Sequence, residues 1–576
     1  MYNSFMINQE VASIFTQMAE LFEFLGDPND KFKIRAYQNV AVTIESLPEP
    51  IDKLFSENRL LGIKGIGQGI AAKIEEYIDN GEIEEFEMLK RAVPKGIFDL
   101  FAVPSLGPKR VKQLNVELGV DSIASLKEAV DKGLVQNLAG FGEKSAKKIL
   151  EGIELRLNVS ERRPIGEVFL TVKMILSEMK KCKDLKDVVA AGSFRRAEES
   201  VGDVDILATG DITKTEKIMK IFCELPMVAH ILGSGDTKSS IITKDGLQVD
   251  FRLVLPDQFG SALQYFTGSK QHNVELRTIA KNRGYKISEY GFFNGEKLIA
   301  SKTEEECYNS LGMQYIPPEL RSNTGEIEAA QKNALPKLIE VDDISGDLHT
   351  HSLWSDGNNT IEEMALAAQN LGYEYIALTD HSPSLRVANG LNHERLIKKK
   401  SEIDALNEKL KIKILFGTEV DILADGSVDY PDEILSKFDV VVASIHSRFN
   451  QDNTERLLKA MQNPYVHIIG HPSGRMIGRR KPYELDYEMV FKEAANTGTI
   501  LEINGQHLRL DLQDFYIREA KRWNCMFSID SDSHSIANLE LMELGVRWAR
   551  RGWCEKKDVV NTLDLKKLRQ ILKKSK

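Results

Sequence analysis

The sequence predicts a multidomain chain with helical modules first, an α+β domain next, and a distorted (β/α) barrel at the C-terminal end. Three observations predict this order. A glycine-containing motif recurs three times before residue 156, short carboxylate-bearing strands occupy residues 187–254, and nine of the eleven histidines follow residue 340. A chain of 576 residues has room for several domains, since one domain usually holds about 100–200 residues.

Composition narrows the class of protein. A hydrophobic fraction of 42% and a charged fraction of 28% exclude collagen-like, low-complexity and globally disordered chains. There is no run of about 18 apolar residues, and the N-terminus lacks signal-peptide features. Five scattered cysteines without a CxxC pair fit a reducing compartment. We therefore expect a cytoplasmic protein that makes no membrane contact.

The repeated motif places a hydrophobic residue before a final glycine, and a helical run follows. Its copies begin at Ile63, Val103 and Leu138, which are 40 and 35 residues apart. Glycine lets the backbone approach a phosphate, and the next helix offers unpaired N–H groups. The pattern resembles the helix-hairpin-helix DNA-binding motif; glycines chosen for packing alone are the alternative. The residues expected to contact DNA are Gly65, Gly67, Gly107, Lys109, Gly140, Gly142 and Lys144.

These hairpins matter because the whole chain carries a net charge of −10. Phosphate binding needs local positive groups and N–H donors, not a basic protein overall. We therefore expect DNA contact to depend on the hairpins. The helical runs that follow them are predicted to extend through Tyr77, Leu118 and Leu155.

Three aspartates mark the next part of the chain. Asp203 and Asp205 are two positions apart in a strand-like run, so their side chains share a face. A neighbouring strand, 247–253, can bring Asp250 beside them. Three carboxylates on one face repel each other unless cations neutralise them. Two Mg²⁺ ions roughly 3.5–4 Å apart would do so and would support phosphoryl transfer, whereas a solvated strand edge is the alternative.

The runs GSFRRAEESVGDVDIL, VDFRLV and YFTGS resemble a family X DNA polymerase across residues 1–318. The resemblance implies a nucleotidyltransferase palm and thumb that act on gapped or primed double-stranded DNA with dNTPs. It also implies two Mg²⁺ or Mn²⁺ ions. Asp203 and Asp205 would hold both ions, and Asp250 would hold the catalytic ion and accept the proton of the primer 3′-hydroxyl.

The same resemblance assigns residues to the nucleotide. Gly192 and Ser193, at a predicted helix start, would bind the β- and γ-phosphates, and Arg196 would add charge. Arg195 is expected to be a surface charge.

Beyond the phosphates, the resemblance implies contacts to the sugar, the base and the template. Tyr265 and Phe266 would pack against the sugar, with ordinary core aromatics as the alternative, and Gly268 belongs to the same nucleotide-binding segment. Asn273 would touch the minor-groove edge of the incoming base, and Arg277 would contact the template.

Two positions depart from the family pattern. Gln248 stands where better-known members carry an arginine, which weakens the expected charge near the primer. Lys73 aligns with a Schiff-base lysine that removes 5′-deoxyribose phosphate, but Gly69 and Asn39 occupy positions that are basic in the family. A lyase role for Lys73 and an exposed helical lysine both remain open.

After residue 340, apolar strands repeatedly end in metal-type ligands and are followed by loops and helices. Such ligands at successive strand ends are typical of the catalytic face of a (β/α) barrel. Imidazole with carboxylate suits Zn²⁺, Mn²⁺ or Fe²⁺. The strands predicted from this pattern lie at 347–351, 375–381, 414–419, 440–446, 467–471 and 527–534.

Residues 340–576 resemble the PHP domain of polymerases and phosphatases. The resemblance implies up to three divalent ions, Mn²⁺ and/or Zn²⁺, and phosphoester hydrolysis by a metal-activated hydroxide. A purely structural domain is the alternative. The nine ligand positions are filled by His349, His351, Asp356, His381, Glu419, His446, His471, Asp532 and His534.

Other residues of this part match no ligand position. His393, His467 and His507 are expected at the surface or behind the ligands. A group of arginines could bind substrate phosphate or form a solvated loop: Arg475, Arg479 and Arg480.

We therefore predict a monomeric repair enzyme, suited to base excision repair, that combines gap-filling DNA synthesis with metal-dependent 3′-5′ exonuclease or 3′-end phosphoesterase activity. Cleavage at abasic sites is a further candidate activity. One rival is a nucleotidyltransferase for RNA ends or small molecules fused to a small-molecule phosphatase. Another is a non-catalytic DNA-binding scaffold with structural metals.

The expected domains follow from these assignments. Pro317, Pro318 and Pro336 lie in a polar segment, 316–346, where we place the main boundary; a helix inside one larger domain is the alternative. The expected ranges are 1–85 for the first hairpin domain, 86–156 for the next two hairpins, 157–258 for the palm, 259–318 for the thumb-like subdomain, 319–345 for a linker and 346–576 for the PHP domain.

Overall fold

A computed structural model of the chain describes residues 2–45, 51–57, 59–63, 65–80, 82–94, 96–101, 103, 106–142, 145–146, 149 and 162–573. The chain divides into two compact units, 1–161 and 162–576. In the part that the structure describes, no helix is long and apolar enough to cross a membrane.

The first unit is helical, because apolar residues recur at helical spacing and share a buried face. In its first helix Val11, Phe15, Met18 and Phe22 are buried together. The helices are α1 (Tyr2–Leu25), α2 (Lys31–Glu45), α3 (Ile51–Ser56), α4 (Gln68–Asn80), α5 (Glu84–Arg91), α6 (Ile97–Phe101), α7 (Pro108–Leu118) and α8 (Ile123–Asp131).

Two predicted hairpin helices can be compared with this structure. Helix α4 runs beyond the predicted end at Tyr77, to Asn80. Helix α7 ends at Leu118 as predicted, because Gly119 adopts a left-handed backbone with φ of 69° that closes the helix. The predicted third helix reaches Leu155, which lies outside the described residues.

The second unit begins with a five-stranded sheet in the order β2-β4-β7-β6-β5. Strands β4 and β7 are parallel, and the other neighbours are antiparallel. The elements are β1 (Arg163–Pro164), α9 (Ile165–Lys180), β2 (Leu185–Ala190), α10 (Gly192–Arg195), β3 (Ser200–Val201), β4 (Asp203–Gly210), α11 (Thr215–Cys223), β5 (Val228–Ser234), β6 (Lys238–Thr243) and β7 (Gln248–Val254).

A smaller subdomain follows, with an antiparallel sheet in the order β10-β9-β8. Its own core contains Leu276, Phe292 and Tyr308. The elements are α12 (Phe259–Thr267), α13 (Lys270–Asn282), β8 (Tyr285–Ser288), β9 (Gly291–Asn294), β10 (Lys297–Ala300), α14 (Glu304–Ser310) and α15 (Glu326–Gln331).

The segment expected to be a linker, 319–345, is packed against both of its neighbours. Arg321 and Glu326 are fully buried. Arg321 forms a 2.6 Å ion pair with Glu304, and Glu326 lies 2.7 Å from His272. Further along, Ile339 joins the core of the C-terminal barrel. The expectation of an exposed linker is not met here. Charged residues that were expected to be exposed to solvent instead form ion pairs with buried partners in the interior.

The remaining residues form a seven-stranded parallel sheet in the order β11 to β17. A parallel bridge between Thr350 and Ser533 brings its two edges together, which gives a nearly closed barrel. The strands are β11 (Gly346–Thr350), β12 (Tyr375–Leu378), β13 (Lys413–Asp421), β14 (Val440–Ser444), β15 (Ile468–Ile469), β16 (Ile500–Asn504) and β17 (Phe527–Asp530).

Helices connect these strands on the outside. They are α16 (Ile361–Asn370), α17 (His393–Asn407), α18 (Asp432–Leu435), α19 (Thr454–Met461), α20 (Tyr487–Thr497), α21 (Asp514–Arg522), α22 (Met542–Arg551) and α23 (Leu565–Leu572). The predicted fold class, with helical modules before an α+β region and a distorted barrel, is confirmed. Strand β16 was not predicted, because no ligand of the predicted set stands at its end.

The buried pair of Arg321 and Glu304 generates a test of stability. Burial alone would raise the pKa of Glu304, but Arg321 and Arg195 outweigh it and lower that pKa to about 2. The ion pair should therefore stabilise the fold above the ordinary carboxyl range and cease to do so as the pH falls through about 2.

We expect Arg321→Met to lower the free energy of unfolding by about 3–5 kcal/mol at neutral pH, since it leaves Glu304 buried with less compensation. Thermal unfolding of the full chain would measure this. Lys302→Met removes an exposed pair with Asp257 in the same subdomain and should leave the midpoint unchanged. Equal midpoints for both variants would contradict the prediction.

Candidate functional site

The three hairpins share one backbone pattern. In each, a hydrophobic residue donates its N–H to the carbonyl three residues earlier, and this residue is buried while the next glycine is exposed. The next helix then begins at that glycine's carbonyl. The carbonyl and N–H pairs are Ile63 with Ile66, Val103 with Leu106, and Leu138 with Phe141, each at 3.0 Å.

Two kinds of glycine occur in these turns. Gly65 and Gly140 have φ of 95° and 80°, a left-handed backbone that favours glycine. Gly67, Gly107 and Gly142 have no such requirement, and a Cβ built at each would meet no described atom within 4 Å. Packing against the described residues therefore does not explain these three glycines.

The lysines expected near the hairpins have different surroundings. Lys109 is exposed, and its ammonium lies 3.5 Å from Glu23. Lys144 lies outside the described residues. Lys73 is mostly buried and forms a 2.7 Å ion pair with Glu85. Lys33 also binds that carboxylate, so Lys73 is not the exposed helical lysine of the simpler expectation.

The three aspartates of the second unit meet on adjacent strands. Parallel pairing of β4 and β7 sets Asp205 directly opposite Asp250, with Asp203 two positions before Asp205. Burial, Asp203 and Asp250 raise the pKa of Asp205 to about 6. Negative charge is therefore crowded here, and a divalent cation would relieve the repulsion.

A lysine currently balances part of this charge. The Lys238 ammonium lies 2.6 Å from an Asp250 carboxylate oxygen. Burial would raise the pKa of Asp250, but hydrogen bonds from Lys238 and others outweigh it and lower that pKa. Gln248, where the family pattern has arginine, lies 3.3 Å from the other Asp250 oxygen and donates a neutral hydrogen bond. Oxygen ligands of this kind fit Mg²⁺ or Mn²⁺.

The expected phosphate-binding residues lie at the start of the short helix α10. Gly192 adopts φ of 63°, and a Cβ there would lie 3.6 Å from an Asp205 oxygen, so this turn borders the aspartates. Ser193 follows in the first turn. The Arg196 side chain donates to the carbonyl of Thr267 and lies 3.3 Å from Glu198.

The expectation that Arg195 is a surface charge is wrong. Its guanidinium forms a 2.6 Å ion pair with the buried carboxylate of Glu304 and donates to the Thr267 hydroxyl at 2.7 Å. The pair joins α10 to the small subdomain. Sequence reasoning missed it because its partner lies 109 residues away.

The aromatic pair of Tyr265 and Phe266 lies at the end of α12, just before Gly268, which lies beside Arg196. The rings of Tyr265 and Phe266 are 5.3 Å apart and nearly perpendicular. Tyr265 is 36% exposed, which does not fit an ordinary core residue. The Arg252 guanidinium lies 4.6 Å from the Phe266 ring centre. Gly268 has φ of 69°, and a Cβ there would lie 3.2 Å from Arg196.

The two residues expected to contact base and template lie on α13. The Asn273 amide donates to the Tyr265 carbonyl at 2.8 Å and accepts from Gln264 at 2.7 Å. It is therefore held in one orientation beside the aromatic pair. Arg277 is exposed one turn later and donates to the Asn273 carbonyl at 3.2 Å.

In the barrel, the structure brings all nine predicted ligands together at one end of the sheet. His471 lies 2.9 Å from a Glu419 oxygen. The others provide ligand atoms that lie within 4.8 Å of one another in three overlapping groups. The groups are His351 with Asp356, His381 and His534; His349 with His351 and Asp532; and His381 with Glu419 and His446.

Buried imidazole nitrogens without hydrogen-bond partners are costly unless something else binds them. Such atoms are concentrated here: Nε2 of His349, both ring nitrogens of His351, Nδ1 of His381 and Nδ1 of His471. Neutral imidazoles beside carboxylates are ligands for Zn²⁺ or Mn²⁺. The donor set therefore fits a cluster of up to three divalent ions.

Two further carboxylates orient the ligands, and the sequence analysis did not identify them. Glu502 on β16 accepts from Nδ1 of His349 at 2.6 Å, and Asp421 accepts from Nδ1 of His446 at 2.5 Å. Each directs the opposite ring nitrogen toward the cluster. Glu502 sits on the strand that was not predicted, so the missing strand explains the missing residue.

Two of the three arginines in the predicted phosphate-binding group form hydrogen bonds within the protein. Arg475 is buried and binds Glu199 at 2.6 Å and the carbonyl of Arg509 at 2.9 Å. Arg480 binds the Gly474 carbonyl at 2.8 Å. Arg479 is exposed on the loop. A shared phosphate-binding role for the three is therefore not supported.

Arg509 is the arginine that faces the cluster, and the sequence analysis did not single it out. Its Nε lies 3.3 Å from Asp532 Oδ2. Both Nε and Nη1 are buried without a good hydrogen bond. Arg509 follows β16 in a segment without a recognisable motif, so its position became apparent only from the fold.

The remaining histidines match expectation in part. His393 is exposed at the start of α17. The ring of His467 accepts from the Val441 N–H at 3.0 Å. His507 is half-buried, and its backbone lies against Gly166.

Comparison with known families matches the chain in consecutive segments. The matches are a helix-hairpin-helix domain at 6–83, a SAM-like helix-hairpin-helix tandem at 97–155, the DNA polymerase beta palm at 162–249, the DNA polymerase beta thumb at 262–322 and the PHP domain at 347–504.

Similar proteins fall into two groups. A DNA polymerase/3′-5′ exonuclease PolX of Bacillus subtilis (strain 168) is 40% identical over 578 residues, which cover 99% of this chain and 100% of that protein. A probable phosphatase of Thermoanaerobacter sp. (strain X514) is 32% identical over 40% of this chain and 95% of its own length. A probable phosphatase of Syntrophotalea carbinolica is 34% identical over 33% of this chain and 79% of its own length.

The exposed hairpin glycines generate a test. We expect Gly67→Ala, Gly107→Ala and Gly142→Ala to leave the thermal midpoint nearly unchanged, because a Cβ meets open space at each. Affinity for double-stranded DNA should fall, because the added methyl keeps a phosphate away from the backbone N–H groups.

Fluorescence anisotropy with a labelled duplex would measure this affinity. Gly119→Ala is the control: it strains a left-handed cap and should lower stability without a direct effect on DNA binding. Unchanged affinity in the three hairpin variants would show that these glycines do not contact DNA.

Proposed function

The chain belongs to the family X DNA polymerases that carry a C-terminal PHP domain, and on this premise we propose that it fills gaps in DNA and trims 3′ ends. Synthesis would be template-directed and would serve base excision repair. Trimming would be metal-dependent 3′-5′ exonuclease or 3′-phosphoesterase action. The observation that carries the proposal is that one compact unit, 162–576, holds two separate clusters of metal-type ligands.

In the polymerase site, Asp203, Asp205 and Asp250 would hold two Mg²⁺ or Mn²⁺ ions. When bound, these ions supply charge neutralisation and activate the primer 3′-hydroxyl. Asp250, to which Gln248 donates a hydrogen bond, would accept the proton of that hydroxyl. Because Lys238 lies 2.6 Å from an Asp250 oxygen, it would have to move away or share that oxygen when a metal ion binds.

The incoming dNTP would lie between α10 and α12. Gly192 and Ser193 are proposed to bind its β- and γ-phosphates. Arg196 supports the turn that ends in Gly268, so its contribution to the phosphates would include positioning.

The nucleoside would contact residues that the structure holds in fixed positions. Tyr265 and Phe266 would flank the sugar, and Asn273 would read the minor-groove edge of the base. Arg277, exposed on the same helix, is proposed to contact the template strand.

In the PHP domain, up to three divalent ions, Mn²⁺ and/or Zn²⁺, would be held by the nine ligands. When bound, they supply a hydroxide nucleophile at neutral pH. His349 and His446, oriented by Glu502 and Asp421, would present Nε2 to the cluster. Arg509 is placed to neutralise a substrate phosphate beside Asp532.

Several assignments complete the proposal. The hairpin residues would bind gapped or primed double-stranded DNA through backbone N–H groups, and the enzyme would act in the cytoplasm as a monomer. Lys73 would be the nucleophile of any 5′-deoxyribose phosphate lyase activity, once Glu85 releases its ammonium. The proposed domains are 1–85 and 86–156 for the hairpins, 157–258 for the palm, 259–318 for the thumb and 346–576 for the PHP domain.

A second candidate for the PHP domain is removal of a terminal phosphate. The relatives that match this region are named probable phosphatases, and they match only part of the chain. A primer with a 3′-phosphate separates the two activities, since loss of phosphate alone leaves the number of nucleotides unchanged.

The central experiment uses a 5′-labelled primer on a one-nucleotide gap, with Mn²⁺ and with or without dNTPs. We expect Asp205→Ala to abolish extension but keep shortening, and His349→Ala to do the reverse, because the two residues belong to separate clusters. Denaturing gels would record both activities, and chelation with EDTA should stop both.

A folded variant that loses both activities would contradict separate sites. Extension by the templated dNTP is the result that supports a DNA polymerase. Addition to RNA without a template would favour the rival nucleotidyltransferase, and absence of any turnover would favour a binding scaffold.

Arg509 gives a further prediction within the PHP site. We expect Arg509→Gln to reduce primer shortening by about 10–100-fold, because Arg509 also contacts the proposed ligand Asp532, and loss of a group that orients a metal ligand typically costs that much. Gap filling should be unchanged. Arg479→Gln, on the exposed loop, is the matched control and should retain shortening. Wild-type primer shortening by Arg509→Gln would show that Arg509 has no role in the PHP site.

A further inference from the structure

Helix α22 of the barrel presents three arginines toward the rest of the second unit. Arg550 and Arg551 follow Arg547 by three and four positions, so both lie on the same helical face as Arg547. We call them the arginine stripe. Arg550 binds Glu319, in the segment between α14 and α15, at 3.1 Å.

The other two arginines of the stripe bind the last backbone carbonyls of α10 and the first one after it. Arg547 Nη2 donates to the carbonyl of Phe194 and, at 3.2 Å, to that of Arg195. Arg551 Nη1 donates to the carbonyl of Arg196 at 2.9 Å. The Arg547 guanidinium also lies 5.0 Å from the centre of the Phe194 ring.

These contacts add donors at the end of a short helix. The last carbonyls of a helix have no partner within the helix, and α10 is four residues long. The Phe194 carbonyl already accepts from the Ala197 N–H at 3.1 Å, so Arg547 is a second donor there, whereas the carbonyls of Arg195 and Arg196 accept from Arg547 and Arg551. Guanidinium donors give charge-assisted hydrogen bonds, which are stronger than neutral ones. The barrel therefore fixes the backbone of residues 194–196 from outside the palm.

Two of these three residues, Arg195 and Arg196, contact the proposed nucleotide site through their side chains. Arg195 binds the Thr267 hydroxyl, and Arg196 binds the Thr267 carbonyl next to Gly268. Gly192 and Ser193 lie immediately before them. The segment 192–196 is thus bound by the barrel on its backbone and faces the proposed nucleotide with its first residues.

We propose that Arg547 and Arg551 are positioning residues for dNTP binding, so that the hydrolytic barrel sets the nucleotide affinity of the polymerase site. This inference rests on the proposed polymerase function. It makes the barrel a structural part of the synthesis site in addition to its own chemistry. Loss of either arginine would let the segment 192–196 move and would weaken binding of the triphosphate.

The test measures kcat and KM for the templated dNTP in one-nucleotide gap filling with the full chain. We expect Arg547→Met and Arg551→Met each to raise KM by about tenfold or more with a smaller change in kcat, as for a loss of substrate binding. Arg547→Lys should restore part of the affinity, since it keeps one charged donor. Primer shortening without dNTPs should stay within about twofold of wild type.

Lys173→Met is the matched control. Lys173, on α9, binds Glu540 and Glu543 at 3.0 and 2.9 Å. It therefore also joins the palm to the barrel, but through carboxylates and not through the backbone of residues 192–196. It should leave KM unchanged. A KM increase of the same size in Lys173→Met would show a general interface effect and overturn the inference.

The remaining outcomes are also decisive. If Arg547→Met does not fold, Arg551→Met and Arg547→Lys carry the test. Wild-type KM in the folded variants would overturn this inference while the polymerase function stands. A wild-type chain that incorporates no templated dNTP would overturn both the inference and the proposed function.

Discussion

Buried charge that must find a partner determines how residues 162–573 pack together. An isolated ion in a protein interior is costly, so each one is paired or ligates a metal. Glu304 pairs with Arg195 from the palm and with Arg321 from the segment that follows α14. The arginine stripe joins the barrel to both regions. These pairs connect regions that are far apart in sequence within the compact unit 162–576.

The same constraint operates at the two ligand clusters. Around Glu419, histidine rings lower the pKa of the carboxyl well below its usual range, although burial alone would raise it. On the palm, three aspartates have fewer positive neighbours, and the pKa of Asp205 rises instead. One cluster is thus balanced by imidazole and the other is short of positive charge. Arg475, which touches Glu199 and the carbonyl of Arg509, links the surroundings of the two clusters.

Local patterns in the sequence predicted the parts of the fold that depend on local chemistry. Alternation placed Asp203 and Asp205 on one face, and ligand-terminated apolar runs marked most barrel strands. The convergence of nine ligands followed from parallel strand order. Strand β16 was not predicted because it ends in no ligand of the predicted set, and Glu502, which lies on it, was therefore not identified. The sequence did not predict the roles of three arginines, because their partners lie many residues away and charged residues are normally expected at the surface. They are Arg195, Arg321 and Arg509.

The proposed DNA contact through the exposed hairpin glycines has a consequence for how affinity depends on salt. Lysine and arginine side chains that neutralise phosphates displace condensed counterions, which makes affinity fall steeply with added salt. Gly67, Gly107 and Gly142 offer peptide N–H groups instead, in a chain of net charge −10. Contact through neutral main-chain donors releases fewer ions. Such an enzyme would hold its substrate with a shallow dependence on ionic strength and little preference for nucleotide sequence.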